Sequence, residues 1–163
     1  TLLAICTLSH RGSTIGGGTV RTVAITGGPD APIQRGGSDT LVRTRETTMA
    51  ELMSADPQAD EAGTYRLAQR PDSIINNLIG IVHGGVSSAG LELVASAAIN
   101  HGQTEPLRTA SLRVNFLRPF FAGDQSRYEG TALRVGRNSA IADAQAVGDD
   151  GKVAILARVT GYR

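Results

Sequence analysis

The chain has 163 residues, 40% hydrophobic and 19% charged, which indicates one folded domain with an extension rather than a disordered polypeptide. A net charge of +1 supplies no basic field for nucleic acid or an anionic membrane, although clustered arginines can still hold a phosphorylated ligand locally. Cys6 is the only cysteine, which excludes an intrachain disulfide and a cysteine-rich metal site and fits a reducing cytoplasm; no apolar run approaches the roughly 20 residues that span a bilayer.

Residues 1–9 read as a strand of apolar and hydroxyl side chains. Gly12 and Gly16-Gly17-Gly18 read as flexible punctuation, with His10 in the loop. Thr19–Thr26 is a second strand, and the Gly/Pro-rich stretch from Gly27 to Asp39 is a linker. The opening Leu2–Ser9 echoes the closing Val153–Thr160 in apolar and hydroxyl order. That echo reads either as the trace of an earlier repeat or as the chance likeness of two apolar strands.

Residues 45–56 have helical spacing, with Met49, Leu52 and Met53 on one side and Pro57 closing the segment. Gly63–Gln69 is a strand, and Pro71–Val82 a loop. Gly84–Ile99 is the longest helix, rich in Ala, Leu and Val and stopped by Asn100-His101-Gly102. Ser111–Leu117, Arg127–Val135, Ala140–Val147 and Lys152–Thr160 are strands, with a hairpin turn at Asp149-Asp150-Gly151. One mostly apolar helix followed by an antiparallel meander makes the fold α+β, with the sheet wrapped around one long central helix.

On that helix Ser88, Glu92 and Ser96 recur at every fourth position and share one stripe. An unpaired buried carboxylate is costly, so a carboxylate in an apolar helix calls for partners or a function; desolvated carboxylates are also better bases near neutral pH. The plain alternative is a glutamate on an exposed stripe among neutral serines. His83-Gly84-Gly85 opens the helix, where free N–H groups and the helix dipole favour an oxyanion and glycines admit a close approach. Glu92 lies nine residues beyond His83. At about 1.5 Å and 100° per residue, the two are roughly 13 Å apart along the axis and on opposite sides. One copy of the helix therefore cannot aim the Gly84 amide and the Glu92 carboxylate at a single carbonyl, and a shared reaction requires two such units.

Asn77-x5-His83-Gly84-Gly85-x6-Glu92-x3-Ser96 resembles the hotdog-fold acyl-CoA thioesterases, in the branch of the phenylacetate-degradation and 4-hydroxybenzoyl-CoA thioesterases. Phe116-Leu117-Arg118-Pro119 with Gly123-Asp124, Gly136-Arg137-Asn138-Ser139 and Asp149-Asp150-Gly151-Lys152 extend the resemblance over roughly residues 45–163. Where the family often carries Asn-Pro before its glycine, this chain has Asn77-Leu78-Ile79-Gly80.

The resemblance implies a hotdog fold and hydrolysis of an acyl-CoA thioester to a free acid and coenzyme A, with no cofactor and no metal. It implies Glu92 as general base or nucleophile, the Gly84 N–H as the group that polarises the carbonyl, Asn77 near the carbonyl or sulfur, and Ser96 as a water-positioning hydroxyl. Thr109 matches another such hydroxyl, Arg137, Asn138 and Ser139 match a turn that touches the coenzyme arm, and His83 and Gly85 complete the helix start, His83 mainly as a structural residue. We expect residues 1–44 to be strands and linker, read as the tail of a preceding hotdog repeat, and residues 45–163 to be the thioesterase-like domain. The partners expected are acyl-CoA and a second hotdog unit, in a homodimer or higher homo-oligomer with composite sites, in the cytoplasm. A non-catalytic acyl-CoA-binding or regulatory domain is the alternative, and a hotdog hydratase ranks below it. His101 is read as a partner of the helix dipole, and Arg113, Arg118, Arg127 and Arg134 as solvated strand faces.

Overall fold

The structure, a computed structural model, describes residues 1–22, 56–69, 71, 75–77 and 80–163. The helix expected over 45–56 falls almost wholly outside these residues, as do the linker and residues 23–26 of the second strand. The chain divides into two units, Thr1–Ile33 and Gln34–Arg163.

In the first unit, β1 (Leu2–His10) and β2 (Ser13–Thr22) form an antiparallel hairpin. Its two-residue turn places Arg11 at φ 48° and Gly12 at φ 81°, the left-handed pair that matches strand twist. His10 ends β1 opposite Ser13, and Gly16–Gly18 lie inside β2 opposite Leu8, Thr7 and Cys6. The sequence reading of both as loop is corrected here. Cross-strand hydrogen bonding overrides the low strand propensity of glycine once a partner strand is in register.

Over its described residues the second unit is an antiparallel sheet of order β3-β4-β6-β7-β8-β5 packed on one helix. Its elements are β3 (Gln58–Ala59), β4 (Tyr65–Ala68), α1 (Gly84–Asn100), β5 (Arg108–Phe116), β6 (Arg127–Val135), β7 (Ser139–Val147) and β8 (Val153–Tyr162). This is the hotdog arrangement. The four last strands and the helix fall within a few residues of their expected bounds, whereas the short β3 was not foreseen.

The helix buries Ser87, Gly90, Leu91, Val94, Ala95, Ala98 and Ile99, the three-and-four spacing of one face. Its other side is half-buried rather than enclosed, which narrows the sequence reading of burial on most sides. Beneath it, β7 turns Ala140, Ala142, Ala144 and Ala146 inwards at period two. Small side chains let the helix approach closely, and glycines do the same: a Cβ on Gly130 would stand 2.5 Å from the Val94 carbonyl carbon, and one on Gly161 2.6 Å from Ile99 Cδ1. Because Gly130 meets backbone, which cannot step aside, Gly130→Ala is expected to cost about 1–3 kcal/mol and to lower the melting temperature by roughly 5–10 °C in a thermal scan.

Both ends of the helix are fixed by polar side chains. Asn100 donates from Nδ2 to Leu107 O (3.1 Å) and accepts from Leu107 N (2.7 Å), turning the chain into β5. His101, at the C-cap, pairs its Nδ1 with the Tyr65 hydroxyl at 2.6 Å, so its role is to tie the helix end to β4. In the core, the Tyr128 hydroxyl donates to Gln69 Oε1 at 2.5 Å, and burial pushes this phenol far above its ordinary titration range.

Arg118 is not a solvated strand residue. It clamps the turn between β7 and β8 by a two-pronged bond to Asp150 (3.0 and 2.7 Å) and by donation to the Lys152 and Val153 carbonyls. This clamp and the Lys152 N–H hold the Asp150 carboxyl down at about 2, from an ordinary value near 3.8. A depressed acid stabilises the fold above its unfolded pKa and loses that contribution as pH falls through the folded one. Arg118→Ala should therefore melt below the parent at pH 6, with the gap closing between about pH 4 and pH 2, as read from paired thermal melts.

Candidate active site

The helix start is built by a loop that folds back on itself. His83 N–H donates to Ile75 O (2.7 Å), Val82 N–H to Phe120 O (2.9 Å) and Asn77 N–H to Ile81 O (2.8 Å). Asn77 Oδ1 accepts from Ile81 N–H at 3.3 Å, so this side chain helps close the loop. His83 is the N-cap: its Nδ1 accepts the Gly85 N–H at 3.0 Å. Capping satisfies one of the amides orphaned at a helix start and leaves others. The Gly84 N–H has no acceptor among the described residues. The Phe116 ring stands beside it, 3.4 Å from where a Gly84 Cβ would lie.

Two turns along, Glu92 is half-buried and its Oε1 accepts the Thr109 hydroxyl at 2.5 Å. Thr109 is held by β5, whose inward positions run Thr109, Leu112, Val114 and Phe116, opposite Gly161, Val159, Ala157 and Ile155 of β8. One strand thus lines both ends of the site, with Thr109 at Glu92 and Phe116 at Gly84. Ser88 of the polar stripe donates to Gly84 O at 2.8 Å, which is local helix bonding. Ser96 lies half-buried one turn beyond Glu92.

Other carboxylates of this unit are tied to cations. Burial works to raise Glu129, but hydrogen bonds from Gln145 and Arg127 and the charges of Arg127 and Arg66 outweigh it and hold the group low. Asp143 is held low by its bond to Arg158. Carboxylates fixed in this way are poor bases. Among the described residues no cationic side chain lies within ion-pair distance of Glu92, and its hydrogen-bond partner is a neutral hydroxyl. The geometry allows it to take a proton or to attack a carbonyl.

The structure joins Glu92 to Thr109 and gathers Asn77, His83, Gly84 and Gly85 at the helix start, but it leaves these two groups at separate ends. Gly84 and Glu92 are eight residues apart on one straight element, roughly 12 Å along the axis. Arg137 and Asn138 are exposed in the turn between β6 and β7 and Ser139 is exposed at the start of β7, and Asn138 O accepts the Arg163 N–H at 3.3 Å. The sequence reading missed Phe116 as a wall of the helix start. Its signal was an aromatic residue at the inward phase of an edge strand. Among the described residues no cluster of three side chains suited to a metal ion occurs, and no helix is long and apolar enough to cross a membrane.

Residues 79–155 match the family model described as the thioesterase superfamily. The matched segment, just under half of the chain, is similar to that superfamily. It spans the helix with both ends of the site and every strand from β5 to the start of β8. Among solved structures, a thioesterase of Haemophilus influenzae is 21% identical over 72% of this chain and 82% of its own, with a TM-score of 0.63. A protein of Bacillus halodurans solved with CoA is 19% identical over 73% and 80%, also at 0.63. A phenylacetic acid degradation-related protein of Ralstonia eutropha is 26% identical over 70% and 88%, at 0.62. The first two likenesses establish the hotdog fold, and the third agrees with the phenylacetate-degradation branch. A search of curated proteins found no match.

Proposed function

We propose that this chain hydrolyses acyl-CoA thioesters to a free acid and coenzyme A. The observation that carries the reading is Glu92, half-buried, free of cationic partners among the described residues and oriented by Thr109. As general base, Glu92 takes a proton from water while the oxygen of that water bonds to the thioester carbon. The carbonyl electrons move to oxygen, where the Gly84 N–H accommodates the charge. Collapse restores the carbonyl, breaks the carbon–sulfur bond, and coenzyme A leaves as a thiolate that takes up the proton. As nucleophile, Glu92 instead forms an anhydride that water cleaves. Asn77, Ser96 and His83 with Gly85 retain their assigned places around the carbonyl, the water and the helix start. The superfamily match and the CoA carried by the Bacillus halodurans neighbour support the substrate class.

A complete site takes two copies in this reading. β5 is an edge strand of nine residues with Phe116 exposed, and a long unpaired edge invites pairing with another strand. Antiparallel pairing of β5 with its own copy about a two-fold axis at Arg113 sets Leu112 opposite Val114 of the second copy and, across the bulge between Thr109 and Ser111, Thr109 opposite Phe116. The Glu92 end of one unit then meets the Gly84 end of the other, twice per dimer. We keep the cytoplasmic placement read from the single cysteine as part of this proposal.

The test is a panel of short, medium and aromatic acyl-CoAs assayed for thiol release. Glu92→Gln keeps the Thr109 contact in shape but cannot take a proton, and kcat should fall by about 10²–10⁴. Thr109→Val should lose about tenfold, since it leaves the carboxylate in place but without its orienting bond. Equal rates for parent and Glu92→Gln would remove Glu92 from the mechanism. Tight binding of acyl-CoA without turnover by the parent would favour the non-catalytic reading.

A further inference from the structure

A depression of about 530 Å³ opens at the end of the sheet beside Thr109, lined by Glu105, Pro106, Arg108, Thr109, Ala110, Tyr162 and Arg163. Its position follows from register. Tyr162 of β8 is flanked directly by Ser139 of β7 and Arg108 of β5, so these three side chains form one row on the outer face of the sheet. The next residue, Arg163, binds the Asn138 carbonyl through its backbone N–H at 3.3 Å, and its guanidinium reaches Glu105 at 3.1 Å. The turn between β6 and β7 therefore abuts a depression that carries two arginines and an exposed aromatic ring. Thr109 is both a wall of this depression and the hydrogen-bond partner of Glu92, so a ligand held here can pass the end of β5 to the carboxylate.

We propose that this row is the seat of the nucleotide end of the thioester substrate, with phosphate groups between Arg108 and Arg163 and a purine ring on Tyr162. The inference rests on the acyl-CoA reading for the identity of the ligand. Guanidinium groups suit phosphates by their planar pairs of donors and also lie against aromatic rings. Tyr162, half-exposed at 51%, offers a face for stacking. Glu105 is 75% exposed on its side chain and holds Arg163 through a weak surface pair that a phosphate dianion displaces. The depression falls within the usual size of a small-molecule site.

The test uses adenosine 3′,5′-bisphosphate, the nucleotide part without the arm or the thioester, titrated calorimetrically into the whole chain. The parent should bind saturably, and Arg108→Ala with Arg163→Ala should weaken binding about tenfold or more. Glu105→Gln, which frees Arg163, should tighten it by about two- to fivefold. Opposite signs from neighbouring substitutions cannot come from loss of fold. In the hydrolysis assay the double variant should raise KM for acyl-CoA at least about five times more than for the matching N-acetylcysteamine thioester, which lacks the nucleotide. No binding by the parent, or equal binding by parent and variants, overturns the proposal. Arginine-dependent binding in a chain that cleaves no thioester would leave this site standing and overturn the hydrolase reading alone.

Discussion

Gly84→Pro is expected to lower kcat by about 10²–10³ while leaving the helix in place. Proline is normally a damaging substitution in a helix because it lacks the N–H and clashes with the preceding turn. Gly84 is the first helical residue, where proline is accommodated because the N–H has no helical partner in any case. The preceding residue must be extended, and His83 already is, at φ −57° and ψ 133°. The added Cβ meets Phe116 at 3.4 Å, an ordinary contact. The substitution thus deletes one hydrogen-bond donor and little else. Gly84→Ala, which keeps the donor, should lose far less, and the pair separates the amide from the space around it. Circular dichroism and a thermal melt report the helix, and thiol release reports kcat. Full activity in Gly84→Pro would exclude this amide as the oxyanion donor.

That experiment is conceivable because much of the site could be read from the sequence. Local pattern was enough for α1: its apolar run, the glycine pair at its start and Asn100-His101-Gly102 at its end are contiguous signals. The alternation Leu112, Val114, Phe116 set the phase of β5, and the inward alanines of β7 follow the same rule. Contacts between distant residues were less legible. The Thr109–Glu92 bond spans 17 residues and depends on the bulge in β5 between Thr109 and Ser111, which no local pattern encodes. Arg118 reads as a strand residue until the turn at Asp150 folds onto it, 32 residues later. Gly16–Gly18 carry the composition of a loop and lie in a strand because β1 supplies partners. The row Ser139–Tyr162–Arg108 draws on three strands and exists only once their registers are known.

The composite site leads to a stronger result than either single variant. Gly84→Pro and Glu92→Gln should each be nearly inactive alone. Mixed as equal amounts of subunits and allowed to exchange, they should recover about a quarter of the parent activity. Half of the dimers formed at random hold one chain of each kind. In such a dimer one site combines the intact Gly84 of the Glu92→Gln chain with the intact Glu92 of the Gly84→Pro chain, and the other site has lost both groups. Half of the dimers with half of their sites gives the quarter. If one copy supplied both groups, every site in every mixture would lack one of them and mixing would restore nothing. The helix geometry already disfavours that case, because a single rigid element cannot bring groups roughly 12 Å apart along its axis to one carbonyl. The same mixture distinguishes pairing through β5 from other assemblies. A proline placed at Val114, inside the edge strand, removes a backbone donor and should prevent recovery if it blocks the pairing of copies, with sedimentation read alongside activity. Recovery to about a quarter in the first mixture, and its absence when the pair cannot form, would assign the two halves of the reaction to different subunits.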